Sequence, residues 1–146
     1  AARRCWCGRR DCIETWLSGP GLHRTWQELG AAPADPGREG EALAAALAAD
    51  AGAARAAVDL HGWQLAAALA TVVNVLDPEL IVLGGGVSRL PALYDVVPRR
   101  WGAFVFSERV ATGLARARHG DSGGVRGAAW HGRDACAAPD DGSDRS

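Results

Sequence analysis

The stretch from Leu60 to Gly86 constrains the fold of this chain more than any other. Leu60, Trp63 and Ala67, together with Leu65, Leu69, Val72, Val73 and Leu76, recur at helical spacing and predict one helix with a wide apolar face. Asp77-Pro78 ends it, because the residue before a proline is pushed out of the right-handed helical region. Leu80-Ile81-Val82-Leu83 follows without alternation, the pattern of a parallel strand buried on both faces. Gly84-Gly85-Gly86 then turns the chain. Ser88 is placed to cap a next helix, with Pro91 tolerated in its first turn. That helix carries Leu90, Leu93, Tyr94 and Val97, and Pro98 marks its end. Residues 109–118 read as a second strand and Gly124–Trp130 as a last helix. Helix, buried strand, glycine turn, helix, strand and helix make an α/β lobe, helix-rich with few strands.

The flanking segments are less regular. Residues 13–29 carry Ile13, Trp16, Leu17, Leu22, Trp26 and Leu29, broken by Ser18-Gly19-Pro20-Gly21, which predicts two short helices around a corner. Residues 30–40 hold Pro33, Pro36 and three glycines and read as a loop. Residues 41–76 read as helix, with a break near Asp50–Gly52 separating two of them. Residues 132–146 are polar and acidic without periodicity, and a disordered tail is expected there, leaving 1–131 as the folded part. The chain is Ala-, Arg- and Gly-rich, so single Ala or Arg residues carry little information on this reading.

Composition excludes several chemistries. The 146 residues carry a formal net charge of −1, with no footprint for nucleic acid or a membrane surface. No apolar stretch is read as approaching the ~18 residues of a membrane span, and no leader is read at the start. There is no Lys, so neither a P-loop nor a Schiff-base lysine can operate from this chain by itself. The absence of Met and the start at Ala1-Ala2 are read as marking a piece of a longer protein.

Cys5-Trp6-Cys7-Gly8-Arg9-Arg10-Asp11-Cys12 places three thiols within eight residues. Such clustering points to metal before disulfide, and thiolates at this spacing can reach a common point ~2.3 Å from each sulfur, the usual zinc distance. Gly8 allows the turn that wraps backbone around a sulfur. The plain alternative is three reduced cysteines. A structural zinc wants four ligands. His23, His61, His119, His131 and Cys136 are the candidates within the chain, none at knuckle spacing, so the fourth is expected upstream of Ala1. A zinc-ribbon DNA binder would need a second Cys pair, and none follows. Glu14 opens a helix two residues beyond Cys12. By itself it is an acid favoured by the helix dipole, but pinned beside a metal knuckle it becomes a directed acceptor for substrate hydroxyls. Gly84-Gly85-Gly86 lies where open α/β sheets collect nucleotides, though it does not spell the dinucleotide fingerprint.

Gly120-Asp121-Ser122-Gly123-Gly124 matches the surroundings of a serine-protease nucleophile. A serine nucleophile needs a His base and an orienting acid from separate elements, and Asp134 and His131 are too close in sequence to supply them. The stretch is read as a loop in which Asp121 or Ser122 caps the last helix.

Three segments together resemble one family. Cys5-x-Cys7-Gly8-x-x-x-Cys12-x-Glu14-x-x-x-Ser18-Gly19 resembles the zinc-and-sugar motif of the ROK family of repressors and sugar kinases. Asn74 through Ser88 is similar to its adenosine-side motif, and His119-Gly120-Asp121-Ser122 through Gly127-Ala128-Ala129 resembles the end of its fructokinase/mannokinase branch. The resemblance implies the C-terminal lobe of an actin-like ATPase (ribonuclease H-like) fold. It implies an ATP-dependent, cytoplasmic fructo- or mannokinase, commonly dimeric, using ATP with Mg2+ and a structural zinc. Cys5, Cys7 and Cys12 would share that zinc with an upstream His, Glu14 would bind sugar hydroxyls, and backbone at Gly84, Gly85, Gly86 and Val87 would border adenosine. The catalytic base and phosphate turn would lie in the N-terminal lobe, so the 146 residues alone are expected to be inactive. The family's repressors carry similar motifs behind a DNA-binding helix-turn-helix, which is the alternative. Asp11 stands where the family has Gly, and would be strained if φ there is positive.

Overall fold

The computed structural model describes residues 2–35, 37–118 and 123–136, with only the backbone described for 133–136. The elements are α1 (Glu14–Leu17), α2 (Gly19–Glu28), α3 (Glu39–Ala48), α4 (Gly52–Leu76), β1 (Leu80–Leu83), α5 (Leu93–Arg100), β2 (Gly113–Arg116) and α6 (Gly123–Cys136), with 3-10 turns at Gly86–Arg89 and Trp101–Ala103. β1 and β2 pair in parallel, Leu80 opposite Gly113 and Leu83 opposite Arg116, with α5 in the crossover between them. Helices pack over this small sheet around a core of Leu22, Trp26, Leu43, Val58, Leu93, Val97 and Trp101.

The corner between α1 and α2 follows from its residues. Ser18 is extended, and its Oγ accepts the Gly21 N–H at 3.2 Å, while Pro20 sits in the first turn where its missing N–H costs nothing. Gly21 is required by space: a Cβ there would lie 2.7 Å from the Thr15 carbonyl oxygen and 2.8 Å from that of Trp16. α4 ends at Leu76, as expected. Asp77 takes the left-handed conformation (φ 40) and donates its N–H to the Val73 carbonyl at 2.8 Å. Asn74 then ties the later chain to α4: its Nδ2 donates to the Phe104 carbonyl and its Oδ1 accepts the Phe106 N–H.

Several expectations are corrected. The buried stripe of α4 is Ala54, Ala57, Val58, His61, Gly62, Ala66, Ala70 and Val73, whereas Leu60, Trp63, Val72 and Leu76 are exposed. Small residues win that face because they let neighbouring helices approach. A Cβ on Gly62 would meet Val96 Cγ1 of α5 at 2.5 Å. β1 is not buried on both faces. Leu80 and Val82 are 54% and 53% exposed, because helices cover only the face that carries Ile81. Ser88 does not cap α5; it lies in the 3-10 turn and its Oγ donates back to the Gly85 carbonyl at 2.7 Å. Pro98 sits inside α5, two residues before its end. The second strand is shorter than 109–118. α4, at 25 residues, is long and apolar enough by length and composition to cross a membrane, contrary to the sequence reading. In this fold its stripe of small residues packs against the neighbouring helices. α6 runs on to Cys136, into the segment expected as tail. Residues 137–146 and the proposed caps Asp121 and Ser122 lie outside the described residues.

The Gly21 contact is testable. Substitution G21A pushes a methyl against two backbone carbonyls that cannot move without unwinding α1. It should lower stability by about 1–3 kcal/mol, read by chemical denaturation, despite the better helix propensity of Ala.

Candidate functional site

The cysteine segment is a hairpin. Arg4 and Arg10 form an antiparallel bridge, the Asp11 N–H donates to the Arg3 carbonyl at 2.8 Å, and the Cys5 N–H donates to the Arg9 carbonyl at 2.9 Å. The tip is a turn closed by the Gly8 N–H on the Cys5 carbonyl, with Gly8 at φ 85. Asp11 is in the left-handed region, φ 54. Its side chain offsets the cost, since Oδ1 accepts the Arg3 backbone N–H at 2.8 Å and closes the hairpin a second time.

This geometry brings the three predicted thiols together. Sγ of Cys5, Cys7 and Cys12 lie within 4.8 Å of one another, with Cys7 and Cys12 at 3.5 Å. A tetrahedral zinc with ~2.3 Å bonds would space its sulfurs about 3.8 Å apart, so the cluster needs little adjustment to hold one. Its electrostatics fit as well. The Cys7 thiol is held below its usual range, first by the backbone of Arg9 and then by the Cys12 and Cys5 thiols. Cys12 is pushed up to about 11, chiefly by the Cys7 and Cys5 sulfurs. Sulfurs this close cannot all ionise without a cation among them.

Among the described residues no fourth ligand joins them. His61 is buried in α4, where burial holds its pKa below the usual value against a weaker opposing effect of the Trp16 backbone. Neither of its ring nitrogens has a hydrogen-bond partner. His23 stands edge-on to Trp26 in α2, and His131 lies on α6. His119 falls outside the described residues, and the Cys136 side chain is not described.

Sequence reasoning missed the residue that holds the hairpin in place. Arg3 is 1% exposed. Its Nη1 donates to the carbonyls of Thr15 and Gly21 at 2.9 and 3.0 Å. Its Nη2 donates to Thr25 Oγ1 at 2.9 Å and Glu28 Oε2 at 2.8 Å. The guanidinium lies 3.8 Å from the centre of the Trp16 ring. Arg3 in turn is the leading cause holding the Glu28 carboxyl below its usual range. One side chain thus ties the hairpin to both α1 and α2. Nothing local distinguished Arg3 from the other fifteen arginines, because its partners are spread along the following 25 positions.

Glu14 is exposed at the start of α1, and its Oε2 accepts the indole N–H of Trp6 at 2.7 Å. The glycine turn is also exposed. Gly85 has φ 78 and ψ 179, open only to glycine, and no atom lies within 4 Å of a Cβ at Gly84, Gly85 or Gly86. Ser88 and Tyr94 brace it from behind, the Tyr94 hydroxyl donating to the Ser88 carbonyl at 2.8 Å. The two predicted segments meet at Gly19, where a Cβ would lie 3.8 Å from Val87 Cγ2. The surface they share is open. A cavity of about 390 Å³ lined by Pro33, Ala34, Asp35, Arg38, Glu41, Ala42 and Ala45, and one of about 270 Å³ lined by Ile13, Trp16, Leu17, Trp63, Gln64 and Ala67, include neither Glu14 nor the glycines.

A model of the ROK family matches residues 1–134. The chain belongs to the ROK family. An N-acetyl-D-glucosamine kinase of Mannheimia succiniciproducens is 37% identical over 134 residues, covering 86% of this chain and 40% of the relative. One from Escherichia coli O157:H7 is 38% identical over 130 residues, covering 88% and 41%. The chain therefore spans about two fifths of the length of these relatives. Among solved structures, a ROK family glucokinase from Streptomyces griseus, in complex with glucose and AMPPNP, superposes with TM-score 0.73 at 23% identity, covering 90% of this chain and 47% of that one. A ROK hexokinase from Thermus thermophilus gives 0.69 at 25% identity, covering 90% and 45%. A ROK family transcriptional regulator, a homologue of the E. coli MLC protein, gives 0.61 at 24% identity, covering 78% and 31%. The fold is part of an actin-like ATPase lobe, as expected. Both curated relatives bear the name of an N-acetylglucosamine kinase and lend no support to the narrower fructokinase/mannokinase resemblance.

Two measurements test this geometry. Changing Cys5, Cys7 and Cys12 singly to Ser should lower the zinc content of purified protein in each case; unchanged zinc in all three ends the metal assignment. Arg3→Met removes four hydrogen bonds, to the Thr15 and Gly21 carbonyls, Thr25 Oγ1 and Glu28 Oε2, and should cost about 2–3 kcal/mol of stability by denaturant titration.

Proposed function

We propose that this chain is the zinc-bearing, nucleotide-adjacent part of an ATP-dependent hexose kinase. The observation that carries the reading is the gathering of three thiols on the hairpin that precedes Glu14, followed by a corner where a Cβ on Gly19 would lie 3.8 Å from Val87 of the glycine turn. A sugar acceptor and a bare-backbone nucleotide turn on adjoining segments are what transfer from ATP to a hydroxyl requires.

In this reading Cys5, Cys7 and Cys12 hold a structural zinc, which supplies rigidity and no chemistry. The hairpin positions α1, and Glu14 accepts hydrogen bonds from sugar hydroxyls. Backbone at Gly84, Gly85, Gly86 and Val87 borders the adenosine of ATP, which arrives with Mg2+. The base that takes the hydroxyl proton, and the turn that cradles the phosphates, come from sequence outside these 146 residues. The whole protein works in the cytoplasm as a homodimer.

The hexose is N-acetyl-D-glucosamine, on the names of relatives 36–38% identical over most of this chain. Fructose or mannose is the second reading, carried by the resemblance of His119 to Ala129, of which 119–122 lie outside the described residues. A sugar-responsive repressor shares the fold and is supported by the regulator among the structural neighbours. A kinase would show an Asp-x-Gly-Gly-Thr turn upstream, a repressor a winged helix.

The test is an ATP-coupled assay of the full-length parent on N-acetyl-D-glucosamine, glucose, fructose and mannose. Phosphorylation of N-acetyl-D-glucosamine is expected, with E14Q lowering kcat/KM about 10- to 100-fold, as loss of a hydrogen bond to a charged group does. Residues 1–146 alone should show no turnover.

A further inference from the structure

Trp6 is 87% exposed, packs into no core, and spends its one polar group on Glu14 Oε2 at 2.7 Å. It stands second in the turn closed by the Gly8 N–H on the Cys5 carbonyl, so its backbone is fixed on both sides by residues of the thiol cluster. An indole has only two side-chain torsions to freeze and offers a flat apolar face beside a single donor. Glu14, by contrast, is a flexible carboxylate on an exposed helix start. Ordering such a side chain costs up to about 2 kcal/mol when a ligand must do it.

We propose that Trp6 is a positioning and specificity residue for the hexose. Its N–H holds one oxygen of Glu14 so that the other oxygen and the free lone pairs face the sugar hydroxyls. Its ring face supplies an apolar wall for the C–H side of the pyranose. A carboxylate accepts at about four lone-pair sites, so the indole occupies one and leaves the rest for substrate. The bond is charge-assisted, which lets it hold the carboxylate in solvent. The inference rests on the kinase reading above and adds a substrate contact to it.

The experiment uses the full-length parent with W6F, which keeps a ring and removes the N–H, and W6A, which removes both. The hexose is N-acetyl-D-glucosamine, or whichever of glucose, fructose and mannose the wild type phosphorylates. W6F should raise the hexose KM about fivefold to tenfold, the scale of a lost charge-assisted hydrogen bond, with kcat changed far less. W6A should raise it further. The KM for ATP and the zinc content should not move in either variant. Tryptophan fluorescence of the wild type should change when the hexose is added without ATP, and that change should vanish in W6F. An unchanged or lower hexose KM in W6F overturns the proposal, as does a parallel change in ATP KM or zinc, which would mark a structural role. A wild-type parent that phosphorylates no hexose overturns the kinase reading and this inference together. An active wild type with an unaffected W6F overturns this inference alone.

Discussion

A single buried guanidinium holds the candidate site together. The hairpin of residues 3–12 has no apolar core of its own, and its thiols and Trp6 face solvent to varying degrees. What fixes it against the helices is Arg3, whose donors reach two helix carbonyls, a threonine hydroxyl and the Glu28 carboxylate while Trp16 covers its face. A planar fork of donors suits this task better than an ammonium would, because it meets several acceptors in one plane. Burying the charge is tolerable only because Glu28 and the carbonyls answer it. The direction of Glu14 relative to the thiols therefore depends on an interaction that belongs to neither.

The second constraint is close approach. Gly21 lets the carbonyls of Thr15 and Trp16 lie against α2, and Gly62 lets Val96 of α5 lie against α4. With Ala54, Ala57, Ala66 and Ala70, these positions draw the helices together until Gly19 and Val87 are neighbours. Larger side chains at those places would have kept the corner that follows α1 and the glycine turn apart. Several large apolar residues, Val75 and Leu76 on α4 and Leu80 and Val82 on β1, remain exposed among the described residues.

Much of the architecture was legible because its causes are local. Ser18-Gly19-Pro20-Gly21 makes its corner through a cap and a proline, Asp77-Pro78 stops α4 by sterics, and Leu80–Leu83 is a strand between breakers. The thiols were legible because a hairpin of that length can gather them with two left-handed residues, Gly8 and Asp11. The buried face of α4 was not legible. In an Ala-rich helix either side passes as apolar, and size decides which side packs. Ser88 was misread for a related reason: a hydroxyl ahead of a helix can cap forward or bond backward, and the Gly85 carbonyl offered the nearer partner.

Sequence alone determined the order and type of the main helices and strands, though not all their ends, the clustering of three cysteines along the chain, and which family pattern they resemble. These follow from torsional limits and spacings of a few residues. Tertiary structure decided that Arg3 is buried, that Trp6 holds Glu14, and that the two candidate segments meet at Gly19 and Val87. Each depends on partners separated by many positions, from 8 between Trp6 and Glu14, through 25 between Arg3 and Glu28, to 68 (87 − 19) between Gly19 and Val87. The free energy of such contacts comes from burial and hydrogen bonding between elements, which no local spacing encodes.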